Sequence, residues 1–232
     1  MAVKLSPKRA AIAAAARAER MKILESGLPM GELPEPEGRG DATKQRILDT
    51  SITLFAERGF EACTMRDIAA AVGIKAPAIY NHYDSKDDVI AAAMEHILGR
   101  FYRTQLDPLE EEPVESWLKL IVRGHVCFQL EYSRLARAND ALLNVPSLDR
   151  VLPPPVYKRI FAANRSYAEL ISILVRLAVP RSSEWDGFMA GFAVSAMCDR
   201  VVIWYDPSGP LEVRQVADRM WKLVARMIGA SA

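Results

Sequence analysis

From Thr43 onward, apolar residues fall at Ile47, Leu48, Ile52, Leu54 and Phe55, the spacing of one buried helix face, and Gly59 ends the run. Thr64 with Asp67 three residues later makes a capping box with the shorter acid. It predicts a short helix through Ile68 and Ala69 to Val72, closed by Gly73. Pro77 then stands in the first turn of another short segment ending near His82. Ser85 and Asp88 repeat the capping pattern before a longer helix to about Leu106. Four helices are thus expected between residues 41 and 105.

The remainder predicts long helices over Pro113–Arg137, Pro155–Val179, Ser183–Tyr205 and Leu211–Ile228, separated by breaks bearing proline or glycine. No period-two strand is legible. Val201–Tyr205 favours β structure but continues a helical segment, so the expected fold is all-α. At the N-terminus Ser6 is placed as an N-cap, Pro7 at the first helical position and Gly27 just past an alanine-rich run, which predicts one more helix. Leu28 to Gly40 carries Pro29, Pro34, Pro36 and three glycines, an extended linker that puts a boundary near residue 40.

Half of the 232 residues are hydrophobic and a quarter are charged, with a formal net charge of +1, the balance of a globular chain and not a disordered one. Cys63, Cys127 and Cys198 are odd in number and never form Cys-x-x-Cys, which reads as a reducing cytoplasm. His82, His96 and His125 have no metal-ligand spacing, and neither a zinc site nor any other cofactor is expected. Ala10 to Ala16 is followed at once by Arg17, Glu19 and Arg20, unlike a secretory signal. No run reaches the roughly 18 uninterrupted apolar residues of a membrane helix, so no membrane partner is expected. An enzyme is disfavoured by the lack of a phosphate-cradling glycine loop, a Gly-x-Ser-x-Gly elbow or a carboxylate pair beside a histidine.

Two short helices about a glycine turn, backed by a longer one, let the second short helix protrude into a DNA major groove. Thr64 to Tyr83 has that layout. Ile68, Ala69, Val72, Ile74 and Ile79 supply the seam, leaving Arg66, Lys75, Ala78, Tyr80, Asn81 and His82 to face outward. The stretch FAERGFEACTMRDIAAAVGIKAPAIYNHYDSKDDVI, within Arg46 to Met94, resembles the DNA-binding domain of TetR-family regulators. The resemblance implies a three-helix, N-terminal helix-turn-helix domain at 41–105, a ligand-binding and dimerisation domain at 106–232, and a basic arm and linker at 1–40. The implied activity is a homodimeric repressor on a palindromic operator, released by a hydrophobic small molecule.

Carried onto this chain, the resemblance presents Lys75, Ala76, Pro77, Ala78, Tyr80 and Asn81 to the groove. Asn81 has the amide to read a base edge, and Ala76, Pro77 and Ala78 offer only apolar contact. Tyr80, His82, Lys86, Thr43 and Arg66 are phosphate candidates. Tyr83 is expected to pack against the preceding long helix. Residues 41–105 hold eight Lys or Arg against nine Asp or Glu, while residues 1–22 hold six against one. The arm could lie on DNA or dock on its own protein. A helical adaptor without DNA binding is the alternative that this negative balance keeps open.

Trp117, Ile121, His125, Phe128 and Tyr132 share one stripe, and Tyr157, Phe161, Asn164 and Ala168 share another. Such stripes line either an effector cavity or an ordinary core. Gly187, Gly191 and Ser195 form a small-residue ridge, and Met220, Trp221, Leu223, Val224 and Met227 make the last helix broadly apolar. The resemblance assigns both helices to the dimer interface, with internal packing as the other reading for either. The segment Trp204 to Leu211, followed by Val216-Ala217-Asp218, is similar to regulators of fatty-acid, steroid and acyl-CoA catabolism, which implies an acyl-CoA thioester or related hydrophobic acid as effector and leaves other aromatic or lipophilic effectors open.

Overall fold

The computed structural model describes residues 6–30, 38–143, 145, 146, 148–179 and 184–230, with only the backbone of residues 184 and 185. The linker prolines Pro34 and Pro36, and the expected helix start at Ser183, lie outside the described residues. The described residues are helical and contain no strand. In chain order the helices are α1 (Pro7–Leu24), α2 (Arg39–Arg58), α3 (Met65–Val72), α4 (Ala76–Ile79), α5 (Lys86–Leu106), α6 (Trp117–Glu131) and α7 (Ser133–Leu143). They continue as α8 (Leu148–Val151), α9 (Pro154–Ala178), α10 (Glu184–Asp199), α11 (Val201–Trp204) and α12 (Val213–Ile228). Short 3-10 turns at Asp107–Leu109 and Val114–Ser116 precede α6.

The caps behave as their chemistry requires. Thr64 and Asp67 exchange both hydrogen bonds of the capping box, and Gly73 closes α3 in the left-handed region at φ 80°. Ser85 Oγ accepts from the Asp88 N–H at 3.1 Å, and Gly229 ends α12 at φ 74°. Two expected long helices are interrupted. The chain breaks at Tyr132, where φ −110° and ψ 40° leave helical space, and again at Arg200. Asp186–Trp204, 19 residues of mean hydropathy 1.3, is long and apolar enough to cross a membrane by length and composition alone. The criterion of an uninterrupted run misses it because Asp199 and Arg200 fall inside.

The helices form two compact units. One gathers Gly27–Arg100 with Ser133–Phe161, and the other Met1–Ser26, Phe101–Tyr132 and Ala162–Ala232, a division different from the one expected at residues 40 and 105. In the first, α2 packs on α3 and α7 around Ile47, Ile52, Phe55, Ile68 and Ile79. Pro29 runs so close over α5 that a Cβ at Gly99 would overlap the Pro29 carbonyl. Burial lowers the pKa of His96 from the usual 6.5, with Arg100 adding to the shift and Asp49 opposing it. A depressed histidine pKa means that the folded state binds fewer protons. The contribution is therefore complete above pH 6.5 and is lost as pH falls through the folded value. Urea midpoints are expected to drop from pH 7.5 to 5.5 by more in the wild type than in His96→Gln, and equal drops would refute this assignment.

In the second unit α12 lies along α6, and α10 and α11 also pack on α6. The N-terminal helix is docked here. Ala13, Ala16 and Ile23 are buried, Arg20 Nε donates to Leu106 O at 3.2 Å, and its guanidinium faces Glu110. Of the two readings of the basic arm, the structure takes docking on its own protein.

Candidate nucleic-acid interface and sensor residues

Helix α4 has four residues, too few to be stable alone. Its position comes from neighbours. Ile79 is fully buried, Ile68, Ala69 and Val72 bury the facing side of α3, and Ile74 is half-buried behind the Gly73 turn. An unexpected contributor is Arg46 on α2, whose guanidinium donates to Val72 O at 2.6 Å and so satisfies a carbonyl at the end of α3. No local signal in the sequence announces this contact, since 26 residues separate the partners.

With the seam inside, Lys75, Pro77, Tyr80 and Asn81 are exposed, and Ala76, Ala78 and His82 are half-exposed. Tyr80 stands 51% exposed, a large aromatic ring left in solvent on the same turn as Asn81. Arg66 is exposed on α3. Thr43 is half-buried, and its hydroxyl donates to Arg39 O at 2.8 Å, leaving oxygen lone pairs as its free capacity. Tyr83 is buried, with Lys44 of α2 over its ring at 5.5 Å, and burial pushes its hydroxyl up to about 12.

Lys86 differs from the expected free phosphate ligand. Its ammonium donates to Phe60 O and Cys63 O, both at 3.0 Å, and sits 3.9 Å from the Phe60 ring centroid. Two of three ammonium donors are therefore engaged in holding the loop between α2 and α3. One donor is left for a phosphate.

The stripe on α6 is core. Trp117 is buried and its indole N–H donates to Glu112 O at 2.9 Å. Phe101 lies edge-on to His125, Phe128 and Tyr167 with centroids 4.8, 5.1 and 5.3 Å away, and Ile121 is buried. The Tyr132 ring is 5.2 Å from Phe128, and Asn164 accepts a hydrogen bond from the Tyr102 hydroxyl. His125 Nε2 is 2.9 Å from Asp199 Oδ1, to which Gln129 also donates, and Nδ1 is 3.4 Å from the Tyr167 hydroxyl. Sequence reasoning found His125 but missed Asp199, Gln129 and Tyr167, whose polar groups meet it only in the fold. Tyr157 and Phe161 do not join this cluster. They stack on each other at 4.2 Å in the other compact unit.

The small-residue ridge packs within its own chain. A Cβ on Gly191 would lie 2.7 Å from Ser172 Oγ and 3.1 Å from its Cα, and one on Gly187 would meet the Arg176 side chain. The ridge thus lies against α9 of the same chain, as in the internal-packing reading, and Ser195 is half-buried. Met220, Trp221 and Val224 likewise face inward and are buried. Among the described residues of α10 to α12, the exposed large apolar side chains are Phe188, Met189 and Phe192, Ile203 and Trp204, and Leu223 and Met227.

Residues 47–93 match the sequence model of bacterial regulatory proteins of the tetR family, and residues 111–228 match a tetracyclin repressor-like C-terminal domain. The chain belongs to the TetR family. The HTH-type transcriptional repressor KstR2 of Rhodococcus jostii is 25% identical over 188 residues, 78% of this TetR-family chain and 88% of the relative. KstR2 of Mycolicibacterium smegmatis is 22% identical over 198 residues, 82% of the chain and 93% of the relative. Among solved structures, the ketosteroid regulator KstR2 of Mycobacterium tuberculosis superposes with a TM-score of 0.70 at 19% identity, over 85% of this chain and 97% of that one. AibR in complex with isovaleryl coenzyme A and operator DNA gives 0.65 at 19% identity, over 82% and 100%. These likenesses establish the fold, and the chain is a transcription regulator with a helix-turn-helix DNA-binding domain.

Proposed function

We propose that the protein is a repressor that binds a palindromic operator as a homodimer through α3 and α4 and leaves it when a hydrophobic small molecule, an acyl-CoA in first preference, is bound. The observation that carries the DNA-binding half is the outward set Lys75, Tyr80 and Asn81 at the two ends of α4, which is anchored from within by the fully buried Ile79. A side chain presented to solvent from a protruding short helix has the reach to touch base edges and phosphates. The KstR2 relatives are named as repressors, and AibR was crystallised with an acyl-CoA and operator DNA together, which supports the operator and effector classes. For the dimer, the support is the set of exposed apolar side chains on α10 and α12, Phe188, Met189, Phe192, Leu223 and Met227, since clustered exposed apolar residues mark interaction surfaces.

Asn81, Tyr80 and Lys86 are expected to separate by role. Asn81→Ala should cost roughly 1–3 kcal/mol at one symmetric base-pair position and leave random DNA nearly unaffected. Tyr80→Phe should weaken all sequences modestly, because only a phosphate hydrogen bond is removed. Lys86→Ala should lower affinity by loosening the loop before α3 more than by losing a charge, so the salt slope should change by less than one ion per half-site. Titrations on operator and random duplexes across salt concentrations test the set. No shift for any duplex, with circular dichroism intact, would leave the helical adaptor as the correct reading. A thermal-shift series with acyl-CoAs and the free acids tests the effector, since a ligand selective for the folded state raises apparent stability with the logarithm of its concentration.

A further inference from the structure

Within the second compact unit, the end of α5, the middle of α6 and the first turn of α12 enclose a half-open cavity of about 250 Å³. It does not include the His125 cluster. Leu120 and Pro108 give it an apolar side, and Arg123 and Arg214 a cationic one.

The buried member is Gln105, 2% exposed. Its amide nitrogen donates to Thr104 Oγ1 at 3.3 Å, and the Thr104 hydroxyl passes its own proton to Phe101 O. Gln105 Oε1 has no donor among the described residues. Turning the amide over would not help, because the Thr104 proton is already committed and an N–H₂ would then lack an acceptor. The oxygen is directed at Gly124, where an added Cβ would come within 2.9 Å of it, so the absence of a side chain on α6 is what leaves room for the carboxamide beside the cavity. A buried acceptor without a donor is unfavourable until something supplies an N–H or O–H.

The charges are similarly incomplete. Arg123 Nε approaches Asp218 Oδ1 at 2.7 Å, but no hydrogen bond is aligned along that contact. Arg214 has no ion-pair partner among the described residues, and it sits in the first turn of α12, where the helix dipole disfavours a cation. Asp218 therefore balances one guanidinium and leaves the other. An anion lying between the two arginines would complete both.

We propose that this cavity binds a small anion carrying a hydroxyl or amide N–H next to its charged group, the anion held by Arg123 and Arg214 and the donor by Gln105 Oε1. Two sources share that chemistry: a free acylamino or hydroxy acid, and the phosphorylated amide arm of a thioester carrier. Isothermal titration of the full chain with N-acetylglycine and with 4′-phosphopantetheine distinguishes them, with N-acetylglycine methyl ester as the uncharged control.

At least one of the two anions is expected to bind one molecule per subunit, the ester at least roughly tenfold more weakly than its acid where the acid binds. Arg214→Ala, at an exposed position, should weaken the anion about tenfold. Gln105→Met, which keeps the shape and removes the acceptor, should weaken it severalfold and raise the melting temperature of the unliganded protein. Binding of neither anion, or equal binding to wild type and Arg214→Ala, overturns the proposal. None of these readouts involves DNA, so their failure is separable from failure of the operator reading.

Discussion

Phe192→Arg is expected to turn the proposed dimer into monomers at micromolar concentration and to lower operator affinity about 100-fold. The ring is 73% exposed within one chain, with Met189 at 67% and Phe188 at 54% on the same helix. On a two-fold interface each substitution counts twice. A buried guanidinium with no partner opposes association by several kcal/mol, and central aromatic residues usually dominate such contacts. Two recognition helices held in register are what makes a palindromic site bind tightly, so loss of the dimer returns affinity toward the non-specific level. The isolated fold should survive, because Phe192 supports little within its own chain. Sedimentation that shows the same dimer dissociation constant for wild type and variant would exclude this face. In that event the hydropathy of Asp186–Trp204 makes vesicle binding the next measurement.

Gly191→Leu, one residue away, should behave in the opposite way. Its Cβ direction points at Ser172 Oγ, Cα and N, all within 3.1 Å, and two of these are backbone atoms that cannot swing aside. Overpacking of this kind costs about 3 kcal/mol, and more where backbone must move. For a chain of this length that corresponds to a fall of roughly 6–12 °C in melting temperature. The loss should appear in the monomeric Phe192→Arg background as well, which separates a packing defect inside the chain from a defect in assembly. An unchanged melting temperature in that background would show that α9 and α10 are farther apart than described here.

The pair also shows where the sequence was legible. Spacing at Gly187 and Gly191 announces that another helix comes close, but not whose helix it is. The last helix is apolar around more than one face, and whether Trp221 or Met227 points inward is decided by α6, which carries no mark of its choice in the pattern. Helix starts and stops at Thr64, Gly73 and Ser85 were readable because caps are local chemistry between residues three or four apart. The break at Tyr132 was not, since Glu131-Tyr132-Ser133 contains neither proline nor glycine and the chain turns there for tertiary reasons. The same distinction runs through the site. The outward placement of Lys75, Tyr80 and Asn81 follows from the apolar seam around them, whereas the Arg46 contact to Val72 O, the Lys86 contacts to Phe60 O and Cys63 O, and the pairing of His125 with Asp199 join residues far apart in the chain.

Helix α4 has a consequence for how such a protein can change. Its cap at Lys75 makes no side-chain hydrogen bond, and its position rests on Ile79, the Gly73 turn and the neighbouring α3. Lys75, Tyr80 and Asn81 contribute to none of these anchors. Their replacement is close to neutral for folding, as surface substitutions away from packed or bonded features generally are. On the proposed reading, operator preference is carried by residues at the ends of the four-residue helix and its placement by Ile79 within it. A gene duplicate could explore new DNA sites by exchanging side chains there, without first acquiring compensating mutations in the core.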